Sequence, residues 1–211
     1  MSNLGFAVLF AGVTLSAASL PNPAIDAPKS GKKTEVAVVA GGCFWGIEAV
    51  FDSLKGVSDA VSGYAGGSKA NAHYEIVSTG TTGHAESVQI TFDPSQISYG
   101  QILKVFFTVH DPTEINRQGP DDGSQYRSEI FYTSDEQRKI AEAYIAQLNA
   151  SKLFRGRIAT KVEPLKEFYR AEEYHQDYAK KNPNQAYIVY NDLPTVEHVR
   201  KEFPDMVKGS K

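Results

Sequence analysis

The chain has a single cysteine, Cys43, among its 211 residues. One cysteine excludes an intramolecular disulfide, a CxxC redox pair and any cysteine-rich zinc site built from this chain alone. The five histidines lack the i, i+4 spacing of a helical metal pair, so a metal site is not expected. The sequence therefore predicts no metal centre and no second thiol to work with Cys43.

An excess of charge of one sign is also missing. The formal net charge is −3 at pH 7, from 22 Lys and Arg against 25 Asp and Glu, which gives no electrostatic case for nucleic acid binding. Internal repeats and low-complexity tracts are absent. Hydrophobic residues make up 41% of the chain, which is enough to build the core of one domain of ordinary size.

The amino-terminal segment differs from this globular composition. Residues 4–20 are apolar and small, and residues 16–18 (SAA) have the composition of a signal-peptide cleavage site. The run is shorter than a comfortable membrane span and is interrupted by polar residues, so no stable span is expected. No Lys or Arg precedes it, and a misassigned start codon or a short anchor explains the same residues.

Three segments follow from this division. We expect a signal peptide or apolar leader at residues 1–20, a Pro- and Lys-containing linker at 21–33, and one folded domain at 34–211. An exported or periplasmic protein is expected if the leader is a signal peptide, and a cytoplasmic one otherwise.

The cysteine lies between a predicted strand and a predicted helix. Residues 35–39 are a continuous apolar run, and residues 47–54 place apolar side chains at helical spacing. The glycines at 41–42 indicate a tight turn, with Cys43 in the first turn of the helix. Unpaired N–H groups at a helix start favour a thiolate and lower a cysteine pKa from ~8.5 toward or below 7. A lone cysteine is more often a small core residue, but the turn and the adjacent Phe44 and Trp45 favour a nucleophile.

The rest of the chain alternates strands, helices and long loops. The patterns predict strands at residues 57–62, 87–92, 128–132 and 158–162, helices at 99–109, 135–148 and 171–181, and loops at 68–86 and 111–125. Ser98 and Ser134 are expected to cap the first two helices. From residue 187 onward we expect the chain to wrap the surface. The order predicts an α+β, two-layer sandwich with its loops gathered at one end.

The loops carry motifs that are weak singly and specific together. They are GCFWG at residues 42–46, GHAE at 83–86, HDPT at 110–113, NRQG at 116–119, QYRS at 125–128, and EYHQ at 173–176 followed by Asn182-Pro183. In this combination and order the chain resembles the class A peptide-methionine sulfoxide reductases. The resemblance covers roughly residues 35–190.

The resemblance implies an enzyme of protein repair that reduces the S epimer of methionine sulfoxide, free or in proteins, to methionine. It also implies a ferredoxin-like α+β domain, which we expect to be a monomer. Cys43 corresponds to the nucleophile, and Phe44 with Trp45 to the pocket for the methyl group on the substrate sulfur. By the same resemblance, Tyr74, Glu86 and Tyr126 hold or protonate the sulfoxide oxygen. Asp121 supports that network, and His84 contacts the substrate.

The chemistry explains why a carboxylic acid is wanted beside the thiol. A sulfoxide oxygen is a poor leaving group unless it gains a proton or strong hydrogen bonds as charge develops. An ordinary Glu with a pKa of ~4.3 is protonated only ~0.2% of the time at pH 7. We therefore expect Glu86 to be buried, with a raised pKa. An aromatic wall opposite the donors then selects one epimer.

The first product on the enzyme is expected to be a sulfenic acid at Cys43. Many relatives resolve this species with further cysteines, commonly near the carboxyl terminus, and this chain has none. An external thiol must therefore recycle the enzyme, with no bound cofactor. The candidates are a thioredoxin-like protein, glutaredoxin with glutathione, or dithiothreitol.

Two other functions remain open from the residues alone. A cysteine hydrolase or acyltransferase would use His84 or His175 as the base and requires a histidine within hydrogen-bond reach of the sulfur. A redox-sensing or peptide-binding module would oxidise at Cys43 without turning over methionine sulfoxide.

Overall fold

The structure is a computed structural model, and it describes residues 19–28 and 33–209. The leader predicted at residues 1–20 lies almost wholly outside the described residues, and so do residues 29–32 of the predicted linker. Within the described ranges, no helix is long and apolar enough to cross a membrane.

The described chain forms eight strands and six α-helices. The strands are β1 (Glu35–Gly41), β2 (Val57–Ala65), β3 (Ala85–Phe92), β4 (Arg117–Gln118), β5 (Asp121–Asp122), β6 (Ser128–Tyr132), β7 (Lys161–Pro164) and β8 (Phe168–Arg170). The helices are α1 (Phe44–Asp52), α2 (Tyr74–Val77), α3 (Tyr99–Val109), α4 (Asp135–Ser151), α5 (Tyr178–Lys181) and α6 (Leu193–Glu202). Short 3₁₀ turns lie at Lys69–Asn71, Ser124–Tyr126 and Glu173–His175, and a π-helical turn lies at Ile188–Asp192.

Six strands form one sheet in the order β7-β6-β1-β3-β2-β8. Every neighbouring pair is antiparallel except β6 and β7, which run parallel. The two-residue strands β4 and β5 form a separate ribbon within the loop predicted at 111–125. The mixture of a largely antiparallel sheet with helices confirms the predicted α+β class.

The strands at the centre of the sheet are apolar on both faces. In β1, Ala37 and Val39 face the large core that the helices α1, α3, α4 and α6 complete. The alternate residues Val38 and Ala40 face a smaller cluster on the other side of the sheet. This follows from the period of two in a strand and explains why residues 35–39 form a continuous apolar run.

Two of the predicted helix starts are confirmed by their caps. The Ser98 hydroxyl accepts a hydrogen bond from the Gln101 N–H, and the Gln101 side chain accepts one from the Ser98 N–H. The Ser134 hydroxyl accepts from the Gln137 N–H in the same way. Each cap satisfies donors that the first helical turn leaves without partners.

The prediction of one helix over residues 171–181 is wrong. The structure has a 3₁₀ turn at Glu173–His175 and the four-residue α5, separated by Asp177 in the left-handed conformation at φ 53°. The Asp177 N–H donates to the Glu48 carboxyl at 3.0 Å. This long-range bond holds Asp177 out of a helical conformation, which no local pattern indicates.

Three other predictions need correction. The loop predicted at 68–86 contains α2, and the strand predicted at 158–162 begins at Lys161. The carboxyl-terminal region does not merely wrap the surface, because α6 buries Val196 and Val199 in the large core. Polar residues around these two positions hide the helical period in the sequence.

Residues 20–27 lie along α3 and α4. Asp26 accepts hydrogen bonds from the Ser98 hydroxyl at 2.5 Å and the Gly100 N–H at 2.8 Å. The Tyr144 hydroxyl donates to the Pro21 carbonyl at 2.8 Å. The described part of the predicted linker is therefore attached to the domain.

Strand β8 leads into the segment that carries His175, and it packs closely on Gly63 of β2. In the register, Gly63 pairs with Arg170 and Tyr64 with Tyr169. A Cβ at position 63 would collide with the Phe168 ring and the Tyr169 carbonyl oxygen. Glycine is therefore required where β8 joins the sheet.

We expect Gly63→Ala to lower the free energy of unfolding by ~1–3 kcal/mol, because the collision involves backbone that cannot move freely. Urea unfolding followed by circular dichroism measures the change. Gly209→Ala is the matched control, since no atom lies within 4 Å of a Cβ built there. A Gly63→Ala variant as stable as the parent would contradict this account of β8.

Candidate active site

Cys43 lies in a sharp turn between β1 and α1. Gly42 adopts a φ of 100°, and a Cβ there would lie 2.7 Å from the Gln118 side chain. Cys43 is the N-cap residue of α1, with φ −57° and ψ 126°. The structure confirms the predicted strand-turn-helix arrangement and the need for glycine in it.

The predicted lowering of the Cys43 pKa is wrong. Burial raises the pKa of the thiol well above its usual value, and the nearby carboxyl groups of Glu86 and Asp192 add to this rise. A hydrogen bond from the Trp45 N–H acts in the opposite direction and does not compensate. Loss of water outweighs the local effect of the helix start, so the free protein holds Cys43 as a neutral thiol.

Glu86 lies beside this turn on β3. It has the same strand parity as Val88 and Ile90, which face the large core. Since Val39 pairs with Val88, the antiparallel register brings the end of β1 next to Glu86. The Glu86 Oε2 accepts a hydrogen bond from the Phe44 N–H at 3.2 Å.

Glu86 is only 2% exposed. Burial raises its pKa to about 8, although the bond from the Phe44 N–H opposes the rise and Asp121 adds to it. The prediction of a buried carboxyl group with a raised pKa is confirmed. At neutral pH most Glu86 side chains are therefore protonated and can donate a hydrogen bond.

Two phenols accompany this carboxyl group. Burial raises the pKa of Tyr74 to about 12, with contributions from the charges of Glu86 and Cys43. Burial and the same neighbours raise the pKa of Tyr126 as well. Both hydroxyls therefore remain neutral donors over the physiological range. The structure brings Tyr74, Tyr126, Glu86 and Cys43 into one electrostatic neighbourhood, as the sequence predicts.

The position of Tyr74 is set by Glu172. One Glu172 oxygen accepts from the Tyr74 N–H at 3.0 Å, and the other accepts from the Tyr64 hydroxyl at 2.8 Å. Sequence reasoning missed the roles of Glu172 and Tyr64, because these residues lie 98 and 108 positions from their partners.

Asp121 is an electrostatic neighbour of Glu86 and Cys43, and Tyr187 holds it in place. The Tyr187 hydroxyl donates a hydrogen bond to Asp121 Oδ2. Burial raises the pKa of Asp121, and the Tyr187 bond acts against the rise. Sequence reasoning missed Tyr187, because it belongs to the segment predicted to wrap the surface.

The indole of Trp45 is held on three sides. It stacks on Tyr178 with ring centroids 3.9 Å apart and planes 12° apart, and it meets the edge of Tyr187 at 6.0 Å. Its Nε1 donates to His175 Nδ1 at 3.1 Å. Phe44 is 1% exposed and lies 5.0 Å from the His175 ring. The two aromatics after Cys43 thus form a fixed apolar wall.

The prediction that His84 contacts substrate does not fit its position. Its Nδ1 accepts from the Gly67 N–H at 3.2 Å, and its Nε2 lies 3.0 Å from the Ser68 carbonyl. Arg127 ties the same loop down by donating to the carbonyls of His84 and Gly83 at 3.0 and 2.9 Å. The GHAE and QYRS motifs therefore include residues that shape the loop.

His110 of the HDPT motif is also structural. Its Nδ1 lies 2.7 Å from the Phe106 carbonyl and its Nε2 lies 2.7 Å from the Ser128 hydroxyl. Burial lowers its pKa to about 4. A neutral histidine is therefore part of the packing between α3 and β6.

The arrangement does not favour a cysteine hydrolase. Both ring nitrogens of His84 are occupied by its own loop, and His175 Nδ1 accepts from Trp45. The titratable groups that shift the pKa of Cys43 most are the carboxyl groups of Glu86, Asp192 and Asp121. The group paired with the thiol is a carboxylic acid, which suits proton delivery to an oxygen.

One group of carboxylates has the spacing of a metal site. Ligand atoms of Glu48, Asp52 and Asp177 lie within 4.8 Å of one another. The Glu48 oxygens already accept from the Ser62 hydroxyl at 2.7 Å and the Asp177 N–H at 3.0 Å. Lys180 and Lys208 line the same cavity. Hydrogen bonds and nearby lysines therefore account for these charges without an ion.

The chain is similar to known proteins along most of its length. A family model described as "Peptide methionine sulfoxide reductase" matches residues 35–207. Peptide methionine sulfoxide reductase MsrA 2 of Mesorhizobium japonicum is 56% identical over 83% of this chain and 91% of the relative. The MsrA 2 protein of Synechocystis sp. is 47% identical over 98% of this chain and 99% of the relative.

Solved structures agree with this similarity. Reduced Mxr1 from Saccharomyces cerevisiae matches with a TM-score of 0.66 at 37% identity, over 74% of this chain and 90% of that one. Methionine sulfoxide reductase A of Corynebacterium diphtheriae matches with a TM-score of 0.64 at 37% identity, over 74% and 78%.

The raised pKa of Glu86 predicts a dependence of stability on pH. A carboxyl group with a pKa of about 8 when folded, against ~4.3 unfolded, stabilises the protein below the unfolded value and loses that effect as pH rises toward 8. Between pH 5.5 and 8.5 the resulting loss of unfolding free energy amounts to ~3 kcal/mol. Urea unfolding should show that Glu86→Gln removes about that much of the pH dependence.

The exposed Glu163 provides a matched control, since Glu163→Gln makes the same chemical change on the surface. Its unfolding free energy should follow the parent at both pH values. An equal loss of stability from pH 5.5 to 8.5 in the parent and Glu86→Gln would contradict the raised pKa.

Proposed function

The chain belongs to the peptide methionine sulfoxide reductase family, and on that premise we propose that Cys43 reduces the S epimer of methionine sulfoxide to methionine. The substrate is free or within a protein. One observation carries the assignment of residues. The thiol of Cys43 and a neutral carboxyl group at Glu86 meet at one turn, joined by the bond from the Phe44 N–H to Glu86.

In the oxidative half-reaction the Cys43 sulfur attacks the electrophilic sulfur of the sulfoxide. This forms a sulfur–sulfur bond. The oxygen then moves from the substrate sulfur to Cys43 Sγ, and the sulfur–sulfur bond and the substrate's sulfur–oxygen bond both break, which releases methionine and leaves a sulfenic acid at Cys43. The thiol loses one proton and the oxygen gains one, so the step is balanced without an outside acid. Glu86 can give its proton to the oxygen and receive the one from the thiol.

The high pKa of the thiol supports this order of events. A neutral thiol and a neutral carboxyl group next to each other avoid the repulsion of two buried anions. The substrate oxygen then provides the site where negative charge develops. We assign the hydroxyls of Tyr74 and Tyr126 as its donors, because both residues are electrostatic neighbours of Glu86 and Cys43. Charge forms only where these donors can stabilise it.

The aromatic wall supports selection of one epimer. Trp45 is held by Tyr178, His175 and Tyr187, so its face cannot rotate away. A methyl group against this wall and an oxygen toward the donors define one handedness at sulfur. The opposite epimer would exchange the two groups and leave polar atoms without partners.

The reductive half-reaction needs a thiol from another molecule. Cys43 is the only cysteine in the sequence, so its sulfenic acid has no intramolecular partner. A thioredoxin-like protein or glutaredoxin with glutathione fits this need, and dithiothreitol can replace them in an assay.

The topology supports a finer description of the fold. Strands β6-β1-β3-β2 are adjacent and antiparallel, and β1-α1-β2 and β3-α3-β6 connect them. This is the pattern of a split βαβ sandwich. We propose that these elements form a ferredoxin-like core, to which β7 and β8 are added at the edges.

The assignment predicts a burst without reductant. Mixing the protein with excess S-methionine sulfoxide should release one methionine per Cys43, and R-methionine sulfoxide should release none. Chromatography of the quenched mixture measures both. Cys43→Ser should give no burst while its circular dichroism spectrum is unchanged. Turnover by Cys43→Ser would overturn the nucleophile assignment.

Removing the acid should slow the same burst. In Glu86→Gln the rate of methionine release in a single turnover should fall by roughly 10²–10⁴, because the amide cannot donate a proton to the departing oxygen. Quenched-flow sampling with S-methionine sulfoxide measures this rate. Glu163→Gln should match the parent, and an unaltered rate in Glu86→Gln would remove Glu86 from this role.

A further inference from the structure

A cavity whose lining does not include the proposed substrate donors borders Cys43. Its volume is about 240 Å³. Glu86, Tyr74 and Tyr126 are not among its lining residues, which include Cys43, Gly46, Asp121, Tyr187, Asn191 and Asp192. Cys43 therefore borders a cavity in which two polar residues, Asn191 and Asp192, have no role in the proposed oxidative half-reaction.

Asp192 is the least satisfied of these groups. It is 5% exposed, and its Oδ2 has no hydrogen-bond partner within the part of the chain that the structure describes. A Cβ at Gly46 would lie 2.5 Å from Asp192 Oδ1. The carboxyl group therefore packs against the first turn of α1, directly after Cys43.

This burial of Asp192 costs folding free energy. A buried carboxyl oxygen without a partner loses several hydrogen bonds to water, and most proteins avoid it. Asp192 ends the π-helical turn Ile188–Asp192, a type of turn that is frequent at functional sites. Among the described residues, the π-helical turn therefore ends on a buried carboxyl group that lines the cavity and has one oxygen without a partner.

Titratable groups lie on two sides of Asp192. Cys43, Asp121 and Tyr187 share the smaller cavity, while a larger one on the other side is lined by Glu48, Asp52, Asp177, Lys180, Arg200 and Lys208. Burial raises the pKa of Asp192 to about 7, and Asp121 adds to the rise. Near neutral pH the group can both accept and release a proton.

We propose that Asp192 transfers the proton in the reductive half-reaction, between the thiol of a reductant entering this cavity and the hydroxyl group leaving Cys43. The inference rests on the proposed function, since it begins from the sulfenic acid at Cys43. It assigns the cavity lined by Cys43 and Asp192 as the entry site for a thiol, which attacks the sulfur from that cavity.

The step is balanced. Asp192 takes the proton from the incoming thiol, and the resulting thiolate attacks Cys43 Sγ. A sulfur–sulfur bond forms as the sulfur–oxygen bond breaks, and the hydroxide leaves as water with the proton from Asp192. The Cys43 sulfur is reduced and the thiol sulfur is oxidised, which gives a mixed disulfide. A second thiol then releases Cys43 by exchange.

The neighbouring carboxyl groups are less suited to this role. Asp121 Oδ2 already accepts from the Tyr187 hydroxyl, and Glu86 Oε2 accepts from the Phe44 N–H. Glu86 also does not line the cavity. Asp192 thus combines access to the cavity with an unoccupied oxygen.

The test separates the two half-reactions in Asp192→Asn. S-Methionine sulfoxide first converts Cys43 to the sulfenic acid, and the methionine burst is timed. Dithiothreitol or a thiol with a pKa below 7 is then added, and the loss of sulfenic acid is followed with a trapping reagent. Asp205→Asn is the matched control, because Asp205 is exposed.

We expect the burst rate of Asp192→Asn to stay within about twofold of the parent. Reduction by dithiothreitol at pH 7 should slow by ~10²-fold, while the thiol that is already ionised should slow by a factor at least ~5 times smaller, because it needs no base and uses Asp192 only to protonate the leaving hydroxyl group. Asp205→Asn should change neither step. Only a group that accepts the thiol proton produces this dependence on the pKa of the thiol.

Equal slowing with both thiols, or slowing of neither, would overturn the proposal. So would an equal slowing of the burst and of reduction, which would indicate a structural role. If Asp192→Asn does not fold, the burst and both reduction rates are measured in Asp192→Ser and judged by the same outcomes. Absence of a burst in the parent would refute the proposed function itself, and the two failures are thus distinguishable.

Discussion

The hydrogen bond from the Phe44 N–H to Glu86 is the contact on which the site depends. It joins the turn that carries the thiol to the strand that carries the acid. Glu86 is buried and Cys43 is partly exposed, and the loss of water raises both pKa values and keeps both groups neutral. The aromatic residues complete this dry environment, because Phe44 is buried and Trp45 is fixed by stacking.

Local patterns in the sequence predicted those parts of the structure that local forces determine. The turn around Cys43 follows from glycine conformations, and the start of α3 follows from the Ser98 cap. The burial of Glu86 was predicted differently, from the chemistry that it must perform. The predicted direction of the Cys43 pKa shift was wrong, because a helix start is visible in the sequence, whereas the burial that raises this pKa most and the approach of Asp192 are not. The break in the predicted helix at Asp177 was missed for a similar reason, since its hydrogen-bond partner Glu48 is 129 residues away.

The carboxyl-terminal region contributes more than its polar composition indicates. Helix α6 packs Val196 and Val199 into the large core, and the π-helical turn before it brings Tyr187 and Asp192 to Cys43. A chain with one thiol still needs groups that manage protons during recycling. This region supplies polar groups at the sulfur, whereas the chain offers no second cysteine there or elsewhere.

Trp45 is the only tryptophan in the sequence, and it lies two residues from the reacting sulfur. Its indole N–H donates to His175, and its ring stacks on Tyr178. Excitation at wavelengths that tyrosine does not absorb therefore addresses a single fluorophore, which lies beside Cys43. The chain thus carries its own optical probe next to the reacting sulfur.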